Sequence, residues 1–72
     1  MGIPFAVGNP PIDHLLKFFE YDHLPDHLAG ISRPFKDAAV WLVKNVPHNQ
    51  ETIAGLRKLL EAKDCFVRAA LP

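Results

Sequence analysis

The sequence predicts an all-α protein: a short N-terminal helix plus a kinked antiparallel helical hairpin, assembled as a homo-oligomer. Three observations lead there. Apolar residues recur at steps of three and four through two long stretches. Only about four turn residues separate those stretches, so the two helices must lie antiparallel as neighbours. Finally, 49% of only 72 residues are apolar, more than so small a body buries alone. Further copies of the chain are the simplest cover for the surplus. At this length one domain, residues 1–72, is the ceiling.

The elements follow in chain order. Residues 1–8 read as an extended arm punctuated by Gly2, Pro4 and Gly8, with Ile3, Phe5 and Val7 alternating along one edge that can pack on a neighbouring subunit. Asn9 followed by Pro10 and Pro11 starts a helix, because Asn caps and a proline in the first turn loses no hydrogen bond. This helix is predicted over 10–19, with Ile12, Leu15, Leu16 and Phe19 as its apolar face. Residues 21–24 break the pattern.

A second helix is predicted over 25–46, starting at Pro25, with Leu28, Ile31, Phe35, Ala38 and Leu42 as a coiled-coil-like seam. Pro34 lies inside it, where its ring crowds the Gly30 carbonyl and its nitrogen donates nothing. A kink between Gly30 and Pro34 is therefore expected, with Ser32 placed to bond a freed backbone group. After the turn, Asn49 caps a third helix predicted over 50–71, and Glu51 suits its first turn. Ile53, Leu56, Leu60, Val67 and Ala70 continue the rhythm, widened by Leu59 and Phe66.

Charge and residue counts exclude several functions. Eight basic and eight acidic side chains give no net charge, and long nucleic acid normally requires a positive excess. A small anion held by a few local cations is compatible with neutrality. The lone Cys65 precludes an intramolecular disulfide, fits a reducing cytoplasm and is expected to be a small buried residue. No apolar run reaches the length of a membrane span. His14, His23 and His27 each follow an aspartate, but their spacing does not make a convincing metal site. No phosphate loop, nucleophile elbow or framed carboxylate pair is present, so no catalytic residue, metal or cofactor is assigned.

Five residues are candidates for ligand binding. Tyr21, in the break between helices, either caps the core or stacks its ring on a nucleobase. Lys36 is either solvated or joins Arg33 in neutralising a phosphate. Lys63 fills the gap in the series Leu56, Leu60, Val67, so it snorkels, pairs with an acid such as Asp37, or faces an anion at a shared seam. Arg68 either pairs with Asp64 one turn earlier or forks onto a phosphate or base edge. Trp41, off the main stripe, is expected to be an oligomer contact.

Tyr21-Asp22-His23-Leu24, Lys36 fifteen residues after the tyrosine, and the closing string Val67-Arg68-Ala69-Ala70-Leu71-Pro72 together give the chain a resemblance. It resembles the small phage proteins that counter CBASS defence by sequestering cyclic oligonucleotide signals. The resemblance runs over residues 21–72 and rests on the spacing and the end string together. It implies a helical homo-oligomer, typically a hexamer, in the cytoplasm of an infected bacterium. It further implies that Tyr21 stacks on a base of a cyclic dinucleotide while Lys36 pairs with its phosphate, between protomers, and that Arg68 serves separate pockets for cyclic trinucleotides. The chain departs from the family in having Ala38 and Ala39 where a hydroxyl lines the trinucleotide pocket. The expected function is a non-enzymatic sponge. The alternative is a small helical protein-interaction module with an exposed apolar groove.

Overall fold

The computed structural model describes residues 7–72 and shows three helices: α1 (Pro10–Lys17), α2 (Asp26–Asn45) and α3 (Gln50–Ala69). No strand occurs among the described residues. All three helices pack against one another, α2 and α3 as the hairpin and α1 across both. The body measures 38 × 25 × 17 Å. The arm expected over residues 1–8 lies outside the described residues as far as Ala6. Val7 packs on the chain's own core, and its N–H donates to Asp13 Oδ1 at 2.7 Å. Gly8 follows with a positive φ of 79°, the backbone region that favours glycine.

Local chemistry accounts for the helix boundaries. Asn9 caps α1 by accepting from the Ile12 N–H at 3.4 Å. The helix ends at Lys17, two residues short of the expected Phe19, and tightens instead of stopping. The N–H groups of Phe18, Phe19 and Glu20 donate to carbonyls three residues back. That tightening turns Phe19 fully inward. Pro25 is the residue before α2, which starts at Asp26. Asn49 and Thr52 form a reciprocal capping box at the start of α3, and the Thr52 hydroxyl also donates to the Pro47 carbonyl. The last helix ends at Ala69, with Ala70 as its cap, before the expected Leu71.

The core sits where α1 crosses the hairpin. Ile12, Leu15, Leu16 and Phe19 from α1 meet Ala39 and Val43 from α2 and Leu56 from α3. Phe35, Ile53, Leu59 and Leu60 close its edges. The α1 face is the one read from sequence, whereas the α2 face is a correction. Its buried residues are Leu28, Ser32, Ala39 and Val43, while Leu42 is 39% exposed and Ile31 and Ala38 are half-buried. Leu28 and Phe35 lie inward as predicted, whereas Ser32, Ala39 and Val43 take the inward places expected for Ile31, Ala38 and Leu42, one residue further along. Small residues at 32 and 39 let the helices approach, and a seam weighted by hydrophobicity misses them.

Pro34 lies within α2, which is helical from Asp26 to Asn45. Ser32 does not bond a freed backbone group there: its hydroxyl is buried and has no partner among the described residues. Gly30 and Pro34 are both exposed, so the freed Gly30 carbonyl can be served by water while Ser32 faces inward. Cys65 is also a correction, because it is exposed on α3 rather than buried. Apolar surface remains uncovered. Phe18 is 51%, Trp41 62%, Phe66 58% and Leu71 51% exposed. No helix among the described residues is long and apolar enough to cross a membrane.

Candidate ligand-binding site

The tight turns after α1 carry Glu20 and Tyr21 against the middle of α2. There the Lys36 ammonium lies 5.4 Å from the centroid of the Tyr21 ring, within cation–π range. The same ammonium donates to Glu20 Oε1 at 2.9 Å. Lys36 and Glu20 side chains are 27% and 23% exposed, so the pair is shielded but reachable from water. The Glu20 hydrogen bond raises the Lys36 pKa above its ordinary value. Partial burial opposes the rise, and electrostatic interaction with Glu20, Tyr21 and Asp22 reinforces it. Lys36 is therefore a firmly held cation beside an aromatic face.

Two of the five residues singled out from sequence, Tyr21 and Lys36, are brought together. Arg33 lies three residues before Lys36 on α2 and hence on a neighbouring part of the helix surface. Its guanidinium is 4.0 Å from Asp37, and both side chains are 69% exposed, so this contact is loose. Lys63 pairs with an acid, but with its neighbour Asp64 at 3.0 Å rather than with Asp37. Its side chain is only 12% exposed, as befits a lysine in an apolar stripe that buries its stem and frees its tip.

Arg68 does not pair with Asp64, which the Lys63 ammonium occupies. Its guanidinium instead meets the Cys65 sulfur at 3.4 Å on the exposed face of α3. Phe35 stacks on Phe66 at 5.8 Å between centroids, which sets the axial register of the hairpin. Because the helices are antiparallel, Arg68, two residues after Phe66, reaches about the level of Arg33, two residues before Phe35. Among the described residues, neither Lys63 nor Arg68 makes a hydrogen bond or ion pair with the Tyr21–Lys36 patch.

Sequence reasoning missed Glu20 as a member of this site. The available signal was its position directly before Tyr21, sixteen residues from Lys36. No group of three or more His, Cys, Asp or Glu among the described residues is placed to hold a metal ion.

A second feature lies at the turn end of the hairpin. An open, mainly apolar groove of about 640 Å³ runs between the C-terminal part of α2 and the N-terminal half of α3. Neither Tyr21 nor Lys36 lines it. Within one protomer the aromatic–cation pair thus lies outside this groove.

Comparison with known proteins adds no relative: no protein-family model, no curated protein and no solved structure matches the chain.

Proposed function

We propose that the protein is a non-enzymatic sponge that binds a cyclic oligonucleotide signal, a cyclic dinucleotide first, at a site built on Tyr21 and Lys36. One observation carries the reading: the fold sets an aromatic ring and a shielded ammonium side by side, although they are fifteen residues apart in sequence. A nucleobase stacks on the ring and the adjoining phosphate takes the ammonium. Arg33 supplies a second cation on the same stretch of α2. Cyclic trinucleotides, through Arg68, are a second ligand class under the same reading. The wall opposite Tyr21 comes from another copy of the chain, which the uncovered apolar side chains support, and a hexamer is the assembly this reading favours. Holding the ligand without cleaving it blocks CBASS-type signalling by depletion alone.

The test is calorimetric titration with a panel of cyclic dinucleotides, followed by recovery of the ligand after denaturation. Tight binding with intact recovery is expected. Tyr21→Ala is expected to weaken binding roughly fivefold to 150-fold, matching the ~1–3 kcal/mol per stacked base. Unchanged binding in both Tyr21→Ala and Lys36→Ala would remove the site assignment, and degraded ligand would remove the sponge.

The groove between α2 and α3 favours a second reading, a helical module that grips the apolar face of another protein's helix. Under that reading the protein is a monomer or simple dimer and no cyclic nucleotide raises its melting temperature.

A further inference from the structure

The groove at the turn end of the hairpin has apolar walls from Leu42 and Val46 of α2 and Leu59 of α3. Along its α3 side, Glu51, Gly55, Lys58 and Ala62 succeed one another at steps of four, three and four, the spacing of one helix face. Gly55 stands in mid-helix, where glycine is the poorest former after proline. The protomer's own packing does not require it, because a Cβ added there meets nothing within 4 Å. A bare helix surface with no internal neighbour suits close approach by a second backbone.

We propose that the groove receives α3 of a second copy of this chain, antiparallel, with the two helices crossing at Gly55. The charges decide the occupant. Glu51 lies four residues before Gly55 and Lys58 three residues after it, and both face the groove. A two-fold axis at Gly55 sets Glu51 of each copy against Lys58 of the other, forming two identical ion pairs at the rims of an apolar contact. The face is therefore self-complementary, as a two-fold interface requires. Neither Glu51 nor Lys58 has an ion-pair partner among the described residues. The chain carries no formal net charge, so no overall repulsion opposes pairing. The inference is independent of what Tyr21 and Lys36 bind, since neither lines the groove.

The experiment is sedimentation equilibrium of the full chain without ligand, with helicity checked by circular dichroism. Wild type, Gly55→Gln, Glu51→Lys, Lys58→Glu and an equimolar mixture of the two charge variants are compared. Wild type self-associates, and Gly55→Gln weakens association by roughly tenfold or more while keeping its helices. Each charge variant alone places like charges at both rims and associates roughly tenfold more weakly. Their mixture restores opposite charges at both rims and forms heteromers. A monomeric wild type, or a folded Gly55→Gln variant that assembles as tightly as wild type, overturns the proposal. So does a mixture that associates no better than its components, and that comparison decides the matter should Gly55→Gln fail to fold. Loss of nucleotide binding with association intact counts against the sponge reading alone.

Discussion

Lys36 donates to Glu20 across 2.9 Å, tying the segment after α1 to the middle of α2. The contact serves two roles that oppose each other. It fixes the tip of the Tyr21 turn, and it occupies the cation that a phosphate would need under the proposed function. On that reading a ligand phosphate must displace or share the Glu20 carboxylate, so the resting pair acts as a built-in competitor.

Glu20→Gln keeps the shape of the side chain and removes its charge. The proposed site then presents a freer ammonium, and affinity for a cyclic dinucleotide is expected to rise several-fold with a steeper dependence on salt. Stability is expected to fall by about 0.2–1 kcal/mol, the range for an ion pair of this exposure. Titration at low and moderate salt checks the first expectation and urea denaturation the second. Weaker binding in the glutamine variant would mean that Glu20 contacts the ligand instead of competing with it.

The same pair sets a pH dependence. The folded-state pKa of Lys36 lies above its unfolded value, with the Glu20 hydrogen bond as the main cause. Folding therefore stabilises the protonated form. That contribution is fully present below the unfolded pKa of ~10.4 and is lost as pH rises through the folded value. Wild type and Lys36→Met are expected to differ in stability by a constant amount from pH 6 to 9, roughly the range below that titration, with the gap narrowing above about pH 10. Urea midpoints across that range measure it. A gap that shrinks between pH 6 and 9 would point to a different titrating group.

The start of α3 depends on a cap. The Asn49 side chain accepts from the Glu51 and Thr52 N–H groups at 3.0 and 3.2 Å. Asn49→Ala leaves those donors to water and removes the fixed entry angle of the hairpin. A loss of about 0.5–2 kcal/mol is expected. Asn49→Asp, which keeps the acceptor, is expected to stay close to wild type in thermal melts. Equal losses in both variants would show that the cap contributes through something other than its acceptor oxygen.

How far the sequence reveals this molecule depends on the kind of residue involved. All four residues predicted for the inner face of α1 are buried, because strong hydrophobes occupy every inward position. On α2 hydrophobicity places Leu28 and Phe35 correctly, but the stripe also includes Ser32 and Ala39 while Leu42 is 39% exposed, so at those positions it points one residue away from the true face. Cys65 shows a residue-type expectation overriding a positional one. It sits four residues after Glu61 and three before Arg68, on the polar side of α3, and it is exposed accordingly. At the candidate site the sequence offered Tyr21 and Lys36 only as a spacing. Their adjacency needs the tightened turns after Lys17, and those same turns deliver Glu20, whose one local signal is its place directly before Tyr21.

Ser32 provides the strongest test of the corrected α2 register. Its residue is wholly buried, and its hydroxyl has no hydrogen-bond partner among the described residues. A buried, unpaired hydroxyl costs on the order of 1–3 kcal/mol. Serine is also a weaker helix former than alanine by a few tenths of a kcal/mol. Removing the oxygen leaves a void smaller than a methyl group, so the packing loss is minor. Ser32→Ala is therefore expected to stabilise the protein by about 1 kcal/mol, which raises the melting temperature of a domain this size by roughly 4–8 °C. Ser32→Asp, placing a charge at the same point, is expected to unfold it. The predicted seam, with Ile31 inward, gives a different result: residue 32 would then face water, and both substitutions would leave the melting temperature nearly unchanged.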